Sequence, residues 1–294
     1  KEKNFFFKFL KLLKDTSSLV KLINNNKPDV LHAHLPYMEL ISFFSLFFSS
    51  HKPKFIITKH VDSDFFTGSK NQKKTLVGSF ISKIISLKSY KIVAISKSVK
   101  NYHINNFLSI ESKKVKVIYY GLDDLKMLSK KEKKNHYKLN YKKKNLVIGC
   151  IARLVNQKSI DNILKSISYI KNVKIKLLLV GKGPLKKDLK KISKDLKIQN
   201  NIKWINFIDN LEKFYDSIDL FVLTSKYEGL GLVFLEAMLS KKPIISSNTS
   251  AMKEIIKNNF NGFLVEQNNP RLLANTIFKL SDKKLRQRLG KSGY

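Results

Sequence analysis

The sequence predicts an α/β protein with two Rossmann-like domains, each built on a parallel sheet, that face each other across a cleft. Two observations lead to this prediction. Short apolar segments alternate with helical segments along the chain, and a stretch rich in Lys and Asn, residues 126–144, interrupts the alternation once. The length of 294 residues also suits two domains of ordinary size. We therefore predict an N-terminal domain at 1–143 and a C-terminal domain at 144–294.

The first half opens with a predicted amphipathic helix at 5–23. Its apolar face can collect Phe6, Phe9, Leu10, Leu13, Val20 and Ile23. The longest apolar run, 40–48, is too short to cross a bilayer and predicts a buried helix. Two further helices are predicted at 72–87 and 98–107, the second opening on a Ser cap. Strands are predicted at 30–33, 54–58, 91–95 and 115–119.

The second half repeats the alternation. Strands are predicted at 146–151, 174–180, 202–205, 220–223, 243–246 and 262–265. Helices are predicted at 160–170, 185–196, 211–217, 232–239, 252–257 and 271–280, with Pro270 in the first turn of the last. Ligands of open α/β sheets bind at the carboxyl ends of the strands, so the residues that follow strands are the candidates for a site.

The composition leaves several kinds of partner open. The formal net charge is +35, which suits an anionic membrane surface, phosphorylated substrates or nucleic acid. Codon bias would give the same charge, because Lys, Asn, Ile and Phe are abundant together and the lysines are spread along the chain. Arginine is scarce, and RNP-type aromatic strings and zinc spacings are absent from the sequence, which argues against a nucleic-acid binder.

A single cysteine, Cys150, excludes an internal disulfide framework and fits a reducing compartment. We therefore expect a cytoplasmic protein, with peripheral association at the cytoplasmic face of a membrane as an extension of that expectation.

The most informative segment combines two glutamates with a glycine turn. A predicted buried strand at 219–225 is followed by Glu228, a Gly229-x-Gly231 turn and an apolar helix that contains Glu236. The glycines let backbone N–H groups approach an anion, and the helix N-terminus adds a favourable dipole. This pattern suits a phosphorylated ligand rich in hydroxyls, such as a nucleotide sugar. The alternative interpretation is a helix cap with a solvated glutamate.

The string Ser225-x-x-Glu228-Gly-x-Gly231-Leu-x-x-x-Glu236-Ala-Met resembles the E-x7-E signature of the retaining glycosyltransferases of family 4, which have the GT-B fold. The resemblance implies transfer of a sugar from a UDP- or GDP-sugar to a hydroxyl acceptor, in the synthesis of a cell-surface glycan or glycolipid. It implies neither a metal ion nor a cofactor. By this resemblance Glu228 is catalytic at the sugar and Glu236 binds the ribose. The turn residues at the donor are Gly229, Leu230, Gly231 and Leu232.

A second string, Ala152-Arg153-Leu154-x-x-x-Lys158-Ser159, follows the first strand of the second half and is similar to the family's G-R-L-x-x-x-K-G string. The resemblance implies that Arg153 and Lys158 grip the diphosphate of the donor. Two cations there would also stabilise the charge that develops as the sugar departs. Ala152 and Ser159 stand where the family usually has Gly.

Two further turns of the second half match the family less specifically. Gly181-x-Gly183-Pro184 is typical of a structural turn, since no third glycine completes a dinucleotide fingerprint. The resemblance places the backbone of Ile208 near the nucleotide base.

In the first half, His60 ends a predicted strand and resembles the family's histidine that faces the transferred sugar and the acceptor. The pair His32 and His34 ends the preceding strand, but two histidines without a cluster of other ligands are weak evidence for a metal.

The family's opening strand with its glycine-rich loop, and its final helix that crosses back to the first domain, have no counterpart in the sequence, so we expect a fragment of a longer protein. Two alternatives stay open at this point. A phosphorylase or epimerase of the same fold would show a pyridoxal lysine or a different set of site residues. An inactive partner subunit or basic binding module would not bind UDP or GDP.

Overall fold

The computed structural model describes residues 2–61, 72–105, 110–122, 145–249 and 251–294. The chain divides into two compact units, Lys1–Tyr120 and Gly121–Tyr294. The predicted linker at 126–144 and the predicted boundary at 143/144 lie outside the described residues, as does the side chain of Phe6.

The first unit is a parallel sheet with helices between successive strands. Its elements in chain order are α1 (Glu2–Asn26), β1 (Val30–His34), α2 (Pro36–Phe48), β2 (Lys54–Lys59), α3 (Gln72–Lys88), β3 (Lys91–Ala94), α4 (Lys97–Asn105) and β4 (Val115–Val117). The strand order is β1-β2-β3-β4, and every pair is parallel. Because crossovers between parallel strands are right-handed, α2, α3 and α4 cover the same face of this sheet.

The apolar run at 40–48 forms a helix as predicted, within α2, but the prediction that this helix is buried is wrong for one of its sides. Ile41, Ser42 and Ser45 of α2 are buried, but Phe47 is 77% exposed and Phe48 is 65% exposed. The buried side of α2 also includes Glu39, so mostly polar side chains, and not the phenylalanines, face the core. The apolar content of the run therefore did not indicate which side of the helix is buried.

The apolar side chains of helix α1 are likewise partly buried and partly exposed. Ile23 is buried, whereas Phe9, Leu10 and Leu13 are exposed, so only the C-terminal end of the expected apolar face of α1 lies in the core of this unit.

The second unit is a larger parallel sheet. Its elements are β5 (Leu146–Ile151), α5 (Ile160–Tyr169), β6 (Ile175–Val180), α6 (Lys186–Asp195), β7 (Ile202–Ile205), α7 (Leu211–Asp216), β8 (Leu220–Leu223), α8 (Leu232–Leu239), β9 (Ile244–Ser247), α9 (Met252–Ile255), β10 (Gly262–Val265), α10 (Pro270–Lys279) and α11 (Lys283–Gly293). The strand order is β10-β9-β8-β5-β6-β7. Chain order therefore reverses between β5 and β8, and the crevice outside the carboxyl ends of these two strands is the expected ligand position.

Strands β5, β6 and β8 are almost fully buried, as expected for a parallel sheet with helices on both faces. An aromatic cluster below α8 fills the space between α7, α8 and β8. Phe214, Tyr215, Phe221 and Phe234 meet there with ring centroids 5.2 to 6.0 Å apart. This packing fixes α7 and α8 against the sheet.

The Gly181-x-Gly183 turn lies directly on the segment that follows β5. A Cβ on Gly181, whose φ is +147°, would lie 1.9 Å from the carbonyl oxygen of Ala152. A Cβ on Gly183 would lie 2.3 Å from the carbonyl oxygen of Leu154. Both glycines are therefore required by backbone packing, which supports the structural interpretation of this turn.

Helix α11 was not predicted. Leu285 and Leu289 are the apolar residues of its sequence, too few for a clear helical pattern, yet Leu289 is fully buried. Asp282 caps this helix by accepting a hydrogen bond from the backbone N–H of Lys284 at 2.8 Å. Within the described part of the chain, no helix combines the length and the hydropathy needed to cross a bilayer.

Candidate active site

Two loops at the reversal point of the second sheet carry the predicted donor-binding residues. The loop after β5 contains Arg153 and a single 3-10 turn, Asn156–Lys158, and the loop after β8 contains Glu228. The loops are tied together by backbone and side chain: Lys226 N–H donates to the Gln157 carbonyl at 2.7 Å, and Gln157 Nε2 donates to the Tyr227 carbonyl at 3.0 Å. The positions of Lys158 and Glu228 are therefore fixed relative to each other.

Lys158 and Glu228 form an ion pair. Lys158 Nζ lies 2.5 Å from Glu228 Oε1, and the two side chains are only 15% and 9% exposed. Each charge stabilises the other, because an unpaired charge removed from water would carry a large desolvation penalty. The two residues that the motifs assigned to the diphosphate and to the sugar are thus in direct contact.

Arg153 follows β5 and is exposed. Among the described residues, its guanidinium has neither an ion-pair partner nor a hydrogen-bond partner. A charged fork with five donors at the carboxyl edge of the sheet is suited to bind a phosphate oxygen pair.

Ser159 occupies a position where glycine is favoured. Its backbone has φ 45° and ψ 46°, the left-handed conformation, at the start of α5. Residues with a Cβ adopt this conformation at a cost, which explains why the similar family string has Gly here. The Ser159 hydroxyl is buried and has no hydrogen-bond partner among the described residues.

The glycine turn before α8 is also set by its backbone. Gly231 has φ +73°, and a Cβ there would lie 2.6 Å from the Phe234 ring. Gly231 is the N-cap residue of α8, and Leu232 is its first helical residue. Gly229 and Leu230 are buried in the preceding turn. The first N–H groups of a helix have no partner within the helix, so they can bind an anion placed at this end.

Glu236 is held from below by a tyrosine that sequence reasoning missed. Tyr215 is fully buried, and its hydroxyl lies 2.9 Å from Glu236 Oε2 and 3.0 Å from the Val233 carbonyl oxygen, so it donates one shared proton. Burial raises the pKa of Glu236, and the Tyr215 hydrogen bond partly opposes this shift. Within the described part of the chain the second oxygen, Oε1, has no hydrogen-bond donor, so it can accept one from a ligand.

The first unit brings three histidines and a tyrosine together. His60 Nε2 lies 3.0 Å from His34 Nδ1, and Tyr120 Oη lies 2.8 Å from His60 Nδ1. Burial, and then the nearby His34 and His32 rings, lower the pKa of His60. The lowered pKa favours the neutral form of the His60 imidazole. Tyr120 belongs to no sequence motif that predicts this contact.

Ile208 follows β7, the edge strand two places from β5, and packs against the core of the second unit. It lies on the same carboxyl edge as Arg153 and Lys158. Nothing in the described residues groups three or more His, Cys, Asp or Glu side chains in a way that could hold a metal ion.

Solved structures with the same architecture define the class. HepE from Anabaena, solved in complex with UDP and glucose, superimposes with a TM-score of 0.83 over 95% of this chain and 74% of that chain, at 19% sequence identity. This likeness places the chain among the two-domain α/β proteins with the GT-B fold.

The sequence comparisons then give the family. Residues 131–294 match the family described as glycosyl transferases group 1, and residues 3–124 match the family described as glycosyltransferase family 4. The chain belongs to the group 1 glycosyltransferases of the GT-B fold.

Two curated relatives match most of the chain. The capsular polysaccharide biosynthesis glycosyltransferase CapM of Staphylococcus aureus is 28% identical over 96% of this chain and 76% of its own length. An Escherichia coli UDP-Gal:alpha-D-GlcNAc-diphosphoundecaprenol alpha-1,3-galactosyltransferase is 26% identical over 94% of this chain and 73% of its own length. Some other relatives are matched over about half of their own length.

Proposed function

We propose that the protein is a retaining glycosyltransferase that transfers a sugar from a nucleotide diphosphate sugar to a hydroxyl acceptor. The observation that carries this proposal is the Lys158–Glu228 ion pair at the reversal point of the second sheet, with the guanidinium of Arg153, unpaired among the described residues, on the same edge. Two cations, one carboxylate and a helix N-terminus within adjacent loops suit a ligand that carries both a diphosphate and a sugar.

The relatives support a more specific form of this proposal, which names the donor and the acceptor. HepE was solved with UDP, CapM acts in capsular polysaccharide synthesis, and the E. coli galactosyltransferase is named for a UDP-sugar donor and a diphosphoundecaprenol-linked acceptor. We infer a UDP- or GDP-type donor, and a glycan or lipid-linked acceptor of cell-surface polysaccharide. A lipid-linked acceptor would bring the enzyme to the cytoplasmic face of a membrane.

In the proposed mechanism the 144–294 domain binds the donor. Arg153 and Lys158 neutralise the diphosphate, and the backbone N–H groups of the turn and of the first α8 residues add to that field. Glu236 Oε1 accepts hydrogen bonds from the ribose hydroxyls, and the backbone of Ile208 lies near the base. Binding energy is thereby concentrated where negative charge develops on the leaving group.

Glu228 and His60 are the proposed catalytic residues. Glu228 would contact the sugar, and His60 of the 1–143 domain would contact the transferred sugar or the acceptor. The bond from the anomeric carbon to the diphosphate breaks, the bond to the acceptor oxygen forms on the same face, and the acceptor proton passes to the departing diphosphate. No metal ion or cofactor takes part in this scheme.

The decisive experiment measures release of UDP or GDP from a panel of nucleotide sugars, together with calorimetric binding of UDP and GDP. We expect binding of one of the two nucleotides, and release of that nucleotide from one class of sugar donor. A folded protein that binds neither nucleotide would instead be a partner subunit or a basic binding module, and the proposal would be wrong.

The two glutamates give a sharper test. Glu228→Gln should lower turnover with little change in nucleotide affinity, because Glu228 is proposed to contact the sugar and not the nucleotide. Glu236→Gln should weaken nucleotide binding, since a carboxylate accepts hydrogen bonds from two hydroxyls more strongly than an amide does. Identical kinetic profiles in both variants, or an unaffected Glu228→Gln enzyme, would contradict this division of roles.

A further inference from the structure

His34 is the last residue of β1, and its ring lies between two other histidine rings of the first unit. The ring centroids of His32 and His34 are 4.3 Å apart, and those of His34 and His60 are 5.2 Å apart. Strands β1 and β2 are parallel neighbours, so His34 and His60 both lie at the carboxyl edge of this sheet. Because ligands of open α/β sheets bind at that edge, an unpartnered ring nitrogen there is a candidate ligand-binding group.

Both ring nitrogens of His60 are already engaged in hydrogen bonds. Nε2 lies 3.0 Å from His34 Nδ1, and Nδ1 lies 2.8 Å from Tyr120 Oη. The His60 ring can therefore form a hydrogen bond with a ligand only if it gives up one of these two contacts.

His34 does not have this restriction. The residue is exposed, and within the described part of the chain its Nε2 forms no hydrogen bond, whereas its Nδ1 is held by His60. An imidazole that is held at one nitrogen presents the other in a fixed direction. His34 thus offers a ring nitrogen to a ligand without losing an existing contact.

The backbone next to His34 is strained and is held in place by a buried ion pair. Leu35 has φ 71° and ψ 148°, a conformation almost restricted to glycine, and such strain is concentrated at functional sites. The Glu39 N–H donates to the Leu35 carbonyl at 3.0 Å, and the buried Glu39 carboxylate lies 2.6 Å from the buried Lys59 ammonium. Lys59 directly precedes His60, so this ion pair fixes the backbone on both sides of the His34–His60 contact.

The hydrogen-bond chain of this cluster is suited to a hydroxyl. In one arrangement Tyr120 donates to His60, His60 donates to His34, and His34 Nε2 carries a hydrogen that it can donate. In the reverse arrangement His34 donates to His60, His60 donates to Tyr120, and His34 Nε2 is an acceptor. A hydroxyl both donates and accepts, so it fits either arrangement, whereas a phosphate oxygen fits only the first.

We propose that His34 is a further substrate-binding residue, whose Nε2 forms a hydrogen bond with a hydroxyl of the transferred sugar. This inference rests on the proposed function. In the proposed mechanism the acceptor hydroxyl gives its proton to the departing diphosphate, so it needs no imidazole partner. The hydroxyls of the transferred sugar are then the groups that His34 can bind.

Two variants separate the roles of the two nitrogens of His34. The side-chain amide of Asn lies near the position of Nδ1, and that of Gln lies near the position of Nε2. His34→Asn should therefore keep a partner for His60 and bind the preferred nucleotide sugar of the donor panel roughly threefold to tenfold more weakly, with unchanged affinity for UDP or GDP alone. His34→Gln should stay closer to the wild type. Calorimetry measures both affinities.

His51→Asn is the matched control. His51 lies in the same unit, and its Nε2 is 2.8 Å from the Pro28 carbonyl oxygen. It precedes β2, at the amino edge of the sheet, so its replacement should change neither affinity. A loss of donor affinity in His51→Asn as large as that in His34→Asn would show that the effect is structural and would overturn the proposal.

A second measurement uses wild-type protein alone, so it applies even where a variant fails to fold. Diethyl pyrocarbonate acylates accessible, unprotonated imidazole nitrogens, and peptide mass spectrometry locates the modified rings. His34 should be modified faster than His60. The preferred nucleotide sugar should protect His34 from modification, and UDP or GDP alone should not. Equal modification with and without the nucleotide sugar, or equal protection by the nucleotide alone, would overturn the proposal.

The same preparations separate this proposal from the proposed function. Wild-type protein that binds UDP or GDP and releases it from a sugar donor, combined with unchanged donor affinity in His34→Asn, rejects the role of His34 alone. Wild-type protein that binds neither nucleotide and releases none rejects the proposed function, and the role of His34 with it.

Discussion

At the scale of single residues, the contact between Tyr215 and Glu236 shows how a buried side chain prepares a ligand-binding carboxylate. The hydroxyl occupies one carboxylate oxygen at 2.9 Å and leaves the other for a ligand. Because the hydrogen bond favours the ionised form, it keeps the pKa of Glu236 lower than burial alone would make it. Tyr215 thus acts as a positioning residue for Glu236.

Tyr215→Phe should therefore weaken nucleotide binding and change its pH dependence. Binding to ribose hydroxyls needs the carboxylate, so affinity is present above the pKa of Glu236 and is lost as pH falls through it. Removing the hydrogen bond raises this pKa further, which moves the loss of affinity to higher pH. Calorimetry with UDP or GDP across a pH series measures the shift. A variant that weakens binding equally at every pH, or leaves it unchanged, would contradict this role.

Arg153 and Lys158 should behave differently from each other. Arg153→Ala should reduce nucleotide affinity roughly tenfold to a hundredfold, the equivalent of about 1.5–3 kcal/mol for a charge-assisted contact, with no loss of stability because the side chain is exposed. Lys158→Ala should reduce affinity similarly and also destabilise the fold by about 1–3 kcal/mol, since it leaves the buried Glu228 carboxylate unpaired.

Calorimetry and chemical denaturation measure the two effects of these variants. Lys279→Ala, which removes one exposed charge from the end of α10, is the matched control and should change neither. Unchanged nucleotide affinity in both Arg153→Ala and Lys158→Ala would refute the assignment to the diphosphate.

Site residues that belong to a sequence motif were predictable. Site residues that come together only through the fold were not. Lys158 and Glu228 came from separate strings seventy residues apart, and only the adjacency of β5 and β8 reveals that they touch. Tyr215 and Tyr120 belong to no motif. Their roles depend on which loops the fold brings together, which a single sequence does not encode locally.

At the scale of elements, strands of the second unit were predicted closely because buried parallel strands are short, apolar and flanked by turn residues. Helix α2 was misjudged for a physical reason, since an apolar run reports hydrophobicity but not which sides of a helix find a partner. Helix α11 was missed because capping by Asp282 and burial of Leu289, and not amphipathic periodicity, define it.

The start of α5 offers a test of element geometry. Ser159→Gly should stabilise the protein by about 1 kcal/mol, because glycine adopts the left-handed backbone without a Cβ clash and removes a buried hydroxyl that has no partner among the described residues. Ser159→Ala serves as the comparison, since it removes the hydroxyl but keeps the Cβ. Chemical denaturation should rank glycine above alanine. A glycine variant less stable than the wild type would show that the serine conformation is not strained.

At the scale of the whole molecule, the fold class followed from the alternation of strands and helices, and the structure confirms two parallel-sheet α/β units. The strand order did not follow from the sequence. Alternation fixes parallel pairing and right-handed crossovers, but the reversal between β5 and β8 arises from how the later strands pack on the other side of β5. The reversal decides where the proposed donor site lies.

The charge of the whole molecule leads to the last prediction, which concerns metal ions. A donor diphosphate needs compensating positive charge, and many enzymes supply it with a divalent cation. Here Arg153, Lys158 and the N-terminus of α8 would supply it from the protein, within a chain of net charge +35. Transfer activity should therefore survive an excess of EDTA, measured as nucleotide release from the preferred donor. The activity of Arg153→Ala should be measured in parallel. An enzyme that uses a metal cation would lose less activity in this variant than an enzyme that relies on its own side chains. Activity that disappears with chelator and returns with manganese would show that the protein does not carry this charge alone.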